Sequence, residues 1–382
     1  MIRVTLSILS ALALTALALT FTTNPASAYR QSSSSTQGGQ ASPDGLWHEI
    51  DDAALQRRTA ERQTAPQSYR TLHLNQDTLR QVLRKTSMEF SEAAKNTQVV
   101  MSLPMPDGTF ARFRIEESPI MEPELAAKFP ETKTYRGQGI DDPKLATRFD
   151  WTPQGFHALV ISGENTVAIH PYRLGDTTNY ICYYGRDYKD TAEEFTCLVT
   201  KEHIVNGKGS QQSVAANTAV GAKLRTYRIA IATTQEYTND MALGGGTADG
   251  ALASVNTWLN GVNLIYELEL SVRMNLVANN DMVIFRAEPD GFTNGTAPTM
   301  VGEVRDVLRD RIGQDNYHVG HVLGTPPGGV HFSSGLAYTG VVCNNGRKSG
   351  EPEARGPLKG GGVTLVTGAG VGDFRLPPDI DT

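Results

Sequence analysis

Residues 206–222 form a polar run rich in Gly, Ser, Gln, Asn and Ala, and the hydrophobic rhythm on its two sides differs. A run of this kind buries too little apolar surface to pack, so each flanking region must find its own core. Before it, period-two alternation dominates. Pro106, Asp107 and Gly108 make a turn, after which Ala111, Phe113 and Ile115 alternate with Arg112 and Arg114, as in a half-buried strand. A second turn at Thr152, Pro153, Gln154 and Gly155 leads into the apolar stretch 157–161, and one helical run is expected over 79–95.

Behind the linker, strand and helix periods alternate. Residues 227–233 read as a buried strand, and Ala251, Val255, Leu259, Val262 and Tyr266 recur at helical spacing behind a cap at Thr247. Leu270, Val272, Met274 and Leu276 then alternate with polar residues. A second helix carries Val301, Val304, Leu308 and Ile312, and strands are expected over 318–323 and 336–343. The fold class expected is α+β. A β-rich domain covers 46–205, a linker 206–222, and an α/β unit with a mixed, largely parallel sheet and two long helices covers 223–382.

The first 28 residues read as an export signal. Arg3 precedes an apolar run over 4–19, and Ala26 and Ala28 flank a small-residue cleavage site. The run is interrupted by Thr and Ser and followed by polar sequence rather than a basic stop-transfer cluster, so cleavage is expected, not anchoring. The product is expected to be extracellular or periplasmic, free of the membrane and monomeric, beginning with a disordered low-complexity segment over 29–45. A net charge of −6 speaks against a nucleic-acid partner. The three cysteines, Cys182, Cys197 and Cys343, are an odd number, which in an exported chain leaves one without an internal partner.

His318, His321 and His331 are the densest set of potential metal ligands. Residues three apart in a strand project to opposite faces, and the sequence between His318 and His321 is poor helix former, so a packing role is expected and no metal site is assigned. His48-Glu-Ile-Asp-Asp52 begins like HExxH but has Asp52 where the second imidazole belongs, which leaves too few ligands. Val363-Thr-Leu-Val-Thr-Gly-Ala-Gly-Val-Gly372 looks like a strand entering a phosphate loop, yet no helical sequence follows to hold a pyrophosphate.

Several blocks, in order, resemble the precursors of secreted reprolysin-like zinc metallopeptidases, a bacterial branch of the metzincins. Arg148-Phe-Asp-Trp-Thr-Pro-Gln-Gly-Phe-His-Ala-Leu-Val160 and Val167-Ala-Ile-His-Pro-Tyr172 are similar to that family's propeptide. Arg225-Thr-Tyr-Arg-Ile-Ala-Ile-Ala232, Val262-Asn-Leu-Ile-Tyr-Glu267, Val277-Ala-Asn-Asn-Asp281, Tyr317-His-Val-Gly-His-Val322 and Gly340-Val-Val-Cys343 are similar to its catalytic domain. The resemblance implies a propeptide over 46–205 and the N-terminal half of a metzincin-like catalytic domain over 223–382. The family's HExxHxxGxxH is absent from the 382 residues. Lys359-Gly-Gly-Gly-Val-Thr364 and Asp379-Ile-Asp381 look like its lead-in, interrupted by an insertion over 347–357, and the chain is expected to be truncated before the zinc site.

A full-length relative would hold zinc, and the expectation for this chain is no cofactor and no catalytic residue, hence no hydrolysis. The resemblance implies that Gly335, Leu336, Ala337 and Tyr338 form the edge along which a protein or peptide substrate adds as an antiparallel strand; an ordinary edge strand is the other reading. Cys197 is either a thiol that caps zinc in the latent precursor or half of a Cys182–Cys197 disulfide. The resemblance pairs Cys343 with a cysteine beyond residue 382. A reading of another class is a secreted non-enzymatic protein that keeps the propeptide fold for binding or inhibition.

Overall fold

The computed structural model describes residues 39–56, 66–163, 165–188, 193–200, 223–326, 332–343, 359 and 361–366, and two sheets carry its fold. The expected export signal with Ala26 and Ala28, the linker over 206–222, His331, the 347–357 insertion and everything after 366 lie outside the described residues.

The first sheet is antiparallel, in the order β1-β2-β9-β8-β7-β6-β5-β4-β3. Its strands are β1 (Trp47–Glu49), β2 (Arg70–Leu74), β3 (Val99–Pro104), β4 (Phe110–Glu117), β5 (Lys133–Gly139), β6 (Ala146–Thr152), β7 (Gly155–Ser162), β8 (Asn165–Pro171) and β9 (Asn179–Tyr184). From β3 to β9 each strand pairs antiparallel with the next, through tight turns at Gly108 and Gly155 and through a longer connection that carries a helix between β4 and β5. Gly108 (φ +97°) and Gly155 (φ +113°) take left-handed conformations that few other residues tolerate. Short helices decorate this sheet: α1 (Asp52–Gln56), α2 (Gln76–Leu83), α3 (Glu92–Asn96) and α4 (Pro123–Lys128).

The core lies on one face of this sheet. Trp47 meets Phe156 and Tyr180 edge-on, Phe149 packs against Phe156, and Leu79 and Leu83 of α2 close it. Successive strand residues alternate faces, so Phe149, Phe156, Ala158 and Val160 enter this core while Leu159 joins Ala146 and Leu264 on the opposite face. Residues 39–45, inside the stretch expected to stay without structure, are packed here. The Asp44 carboxylate accepts from the Ser102 backbone at 2.6 Å, and Ser42 accepts from the Trp47 backbone at 2.9 Å. Ion and backbone hydrogen bonds hold a segment that has no apolar face of its own.

The helix expected over 79–95 is instead two. α2 stops at Leu83, and α3 starts behind the Ser91 cap. The intervening chain is drawn against β4, where Glu117 N donates to Ser87 O and Glu89 N to Glu117 O. Sheet pairing there replaces the helical hydrogen bonds, and it carries Glu89 to a buried partner described below.

The second sheet runs β10-β14-β15-β13-β11-β12, built from β10 (Glu193–Cys197), β11 (Arg225–Thr233), β12 (Val272–Leu276), β13 (Val319–Gly324), β14 (Phe332–Ala337) and β15 (Gly362–Leu365). β12, β11, β13 and β15 are mutually parallel, and β14 is antiparallel to β15. Behind α5 (Gln235–Asn239), α6 (Ala248–Leu270) covers one face and α7 (Ala297–Arg311) the other. Along β11, Ile229 and Ile231 face α6, whereas Ala230 and Ala232 face α7. Thr247 caps α6 by accepting from Gly250 N at 2.9 Å, and Ser271 at φ +52° ends it. The two mixed layers make an α+β fold.

Two strand expectations shift. The strand expected over 336–343 is Phe332–Ala337, because the chain turns away as Tyr338 N donates to Gly361 O and Cys343 N to His318 O. β10, expected within the first region, joins the second sheet.

Candidate active site

β14 is the one strand of the second sheet, besides β10, that runs against the parallel set. On its inner side Gly335 faces Thr364, Leu336 faces Val363 and Ala337 faces Gly362 of β15. On its outer side β10 is parallel, with Thr196 opposite Ser334 and Cys197 opposite Gly335, and Leu198 N donates to Gly335 O at 2.9 Å. The four residues expected to form a substrate edge therefore divide. Gly335 is already paired on both sides, Leu336 is buried in the core beneath α7, and Tyr338 is tied to Gly361. Ser334 beside them is buried with an unpartnered hydroxyl.

The histidines of β13 are engaged with protein. His318 Nδ1 accepts from Arg228 N at 3.0 Å and its ring meets Tyr227 edge-on. His321 stacks under Trp258 of α6 at 5.5 Å, with Nε2 3.0 Å from Thr364 Oγ1. Burial there pushes its pKa down to about 4. A side-chain carbon at Gly362 would stand 2.3 Å from His321 Nδ1, so this ring fits only beside glycine. Among the described residues no three His, Cys, Asp or Glu side chains converge on a common point.

Cys182 lies on β9 in the first sheet, and the backbone of Cys197 lies in the second. Cys182 is a free, buried thiol that donates to Pro104 O at 3.2 Å, and burial raises its pKa well above the thiol range. Cys343 is free and exposed.

The arrangement that sequence reasoning missed joins the two sheets. Arg148 of β6 donates to Ser118 Oγ at 2.7 Å, Asn260 Oδ1 at 2.8 Å and Glu267 Oε1 at 2.8 Å. Glu267 also takes Arg273 Nε at 2.5 Å, and Arg273 forks onto both oxygens of Glu89, which in turn accepts from Ser118. Burial pulls the Arg148 pKa down to about 10 against the pull of Glu267. Burial alone would raise the Glu267 carboxyl, but Arg148 and Arg273 outweigh it and hold the group ionised. Two residues along the same strand, Asp150 is fully enclosed and meets His157 at 3.1 Å and Thr257 of α6 at 3.0 Å. The available signal was Arg148 and Asp150 alternating with Phe149 and Trp151, which reads equally well as a solvent face.

A sheet with one helix on each face, in which the reversed strand β14 lies between β10 and β15, is an α/β unit. Residues 252–373 match the family described as Metallo-peptidase family M12B Reprolysin-like, so this stretch is similar to that family. Metalloproteinase-II from Bacteroides fragilis, a solved structure, is similar at 11% identity, covering 77% of this chain and 80% of that one with a TM-score of 0.38. No curated protein matches the chain. Among the described residues no helix is long and apolar enough to cross a membrane.

Proposed function

We propose that the chain is the latent precursor portion of a secreted zinc metalloendopeptidase, in which the first sheet is the propeptide and the second is the upper part of the catalytic domain. The observation that carries this is β10. It comes from the first region yet lies along β14, the strand to which a substrate would add. Substrate in this family lies antiparallel to the edge strand, whereas β10 is parallel to β14, so it offers its peptide units in reverse. A strand in that direction fills the edge while presenting the wrong polarity for cleavage. Cys197 ends β10 with its backbone opposite Gly335, and it is the residue we assign to a thiol switch. Gly335, Leu336, Ala337 and Tyr338 remain the proposed substrate edge once β10 is gone.

The chain's own part in this activity is to bind and orient an extended peptide. The 382 residues contain no HExxH, so the purified chain is expected to hydrolyse neither casein nor a quenched peptide. Stoichiometric zinc together with hydrolysis would reverse that expectation and return attention to His318, His321 and His331. The coding DNA past the codon for Thr382, read in all frames, is expected to encode HExxHxxGxxH. Its absence would favour the binding or inhibitory protein instead.

A further inference from the structure

We propose that His48 and His73 are the protein ligands of a metal site at the border of the first sheet, which takes a divalent late transition-metal ion such as zinc or nickel and clasps β1 to β2. The site is independent of the peptidase reading. Both residues lie in the first sheet, outside the stretch similar to a peptidase family.

His48 fails as the start of an HExxH pattern because Asp52 stands where the second imidazole is needed, one helical turn on. The fold supplies an imidazole from another strand. β1 pairs with β2 so that His48 lies directly opposite His73, and β2 pairs with β9 so that His73 lies directly opposite Asn179. Residues opposite one another in a ladder share a face, so the three form one row across the sheet. That face is the one turned away from the core of Trp47, Leu72 and Leu74.

The centres of the two imidazole rings are 4.7 Å apart, with the planes tilted by 41°. An ion bonded at ~2 Å to one nitrogen of each ring sets two imidazole centres about 4.5–5 Å apart, so the pair stands at chelating separation. Ala41 bridges His48 on its outer side, and a methyl group is all that borders the pair there. His48 is exposed and His73 half-buried, which leaves the remaining positions of the ion to water.

A second observation settles which nitrogen of His73 is free. Asn179 Nδ2 donates to Asp176 Oδ2 at 2.8 Å, and a carboxylate only accepts, so the amide oxygen is the atom turned to His73. That oxygen also only accepts, and it stands 3.3 Å from His73 Nδ1; Nδ1 therefore carries the proton and Nε2 keeps its lone pair. Asp176 is fixed in turn by the backbone amides of Thr178 and Asn179 at 3.0 and 2.9 Å. A carboxylate, an amide and an imidazole in series orient a metal-binding ring and raise its basicity. Ring packing alone calls for no such relay.

Imidazole nitrogens suit zinc, nickel and copper, whereas magnesium and calcium prefer oxygen. The consequence for the fold is local. β1 has three residues and ends the sheet, so few hydrogen bonds hold it, and an ion shared with β2 adds a cross-link.

The test uses the full chain without an affinity tag, stripped by a chelator and titrated calorimetrically with zinc or nickel chloride near neutral pH. One ion per chain is expected, and calcium and magnesium are expected not to bind. His48→Gln and His73→Gln should each weaken binding by at least about tenfold, and Asn179→Ala by about tenfold through the lost relay. His318→Gln should leave it unchanged. Hydrogen exchange at the amides of Trp47, His48 and Glu49 is expected to slow on adding zinc and to quicken again on chelation. His48→Phe keeps a ring against His73, so the fold should persist by circular dichroism while the zinc-dependent rise in thermal midpoint is lost. A parent chain that binds neither ion, or binding that survives both histidine substitutions, would overturn the site. Binding that leaves β1 exchange unchanged would overturn the clasp.

Discussion

Arg148 on β6 and Glu267 on α6 form a buried ion pair at 2.8 Å between the two sheets' regions, 119 residues apart in sequence. Nη1 also donates to Asn260 of the same helix and Nη2 to Ser118, while the buried Nε has no partner, so α6 and the segment after β4 both meet this one side chain.

Replacing that side chain is therefore expected to be costly. Arg148→Met leaves Glu267, Ser118 and Asn260 short of a donor and should lower stability by about 3–5 kcal/mol, read as a loss in urea midpoint. Arg148→Lys should recover less than half of this, because an ammonium cannot reach three acceptors held in the plane of a guanidinium. A lysine variant as stable as the parent would count against the network.

Acid should loosen the fold. His321 at about 4 and His170 at about 3 are both depressed below the ordinary histidine value, in each case mainly by burial. Their folded-state pKa lies below that of the unfolded chain, so they contribute stability that is present above pH ~6.5 and is lost as pH falls toward 4 and 3. Glu267, also depressed, adds a loss below the ordinary carboxylate range. The thermal midpoint is expected to drop between pH 7 and pH 4.5, and His321→Gln should flatten part of that slope. A midpoint that stays level over this interval would contradict the burial of both rings.

Gly362 should tolerate no side chain while His321 is present. Gly362→Ala places a carbon 2.3 Å from His321 Nδ1 and is expected to cost on the order of 1–3 kcal/mol. In a His321→Ala background the same change should cost far less, so the coupling in a double-mutant cycle is the quantity to measure.

Proline at Thr196 should detach β10. The residue lies opposite Ser334, and proline removes the backbone donor needed for a strand ladder. Hydrogen exchange at the β14 amides is expected to quicken in Thr196→Pro, with the first sheet unaffected. Unchanged protection would mean that β14 does not depend on β10.

Thiol mapping should separate the cysteines. Iodoacetamide is expected to label exposed Cys343 readily and Cys182 only after denaturation, since burial keeps the latter protonated and enclosed. Cys182 is free, so no Cys182–Cys197 disulfide is expected, and labelling at Cys197 under native conditions is the outcome expected of the switch reading.

Several elements were legible before any tertiary information. Phe113 and Ile115 are buried between exposed Arg112 and Arg114. Thr247 caps α6, and Val301, Val304 and Leu308 face the core from α7. Each of these rests on a period or a cap confined to a few neighbouring residues. The 79–95 region has helical spacing too, yet Glu89 is drawn out of it by Glu117 and Arg273, partners that no local pattern reveals. Likewise Glu193–Cys197 is the sort of short strand that any sheet edge could take.

The sequence by itself determined two regions of different rhythm, the positions of the main helices and strands and the reprolysin-like blocks, because period and spacing are local properties of a chain. Only the tertiary structure decided that β10 crosses to β14, that His321 needs Gly362, and that Arg148 and Glu267 share one buried site. Those are pairings between residues far apart in sequence, chosen by which desolvated groups can satisfy one another. A charged residue in an alternating strand looks the same whether it faces water or a partner.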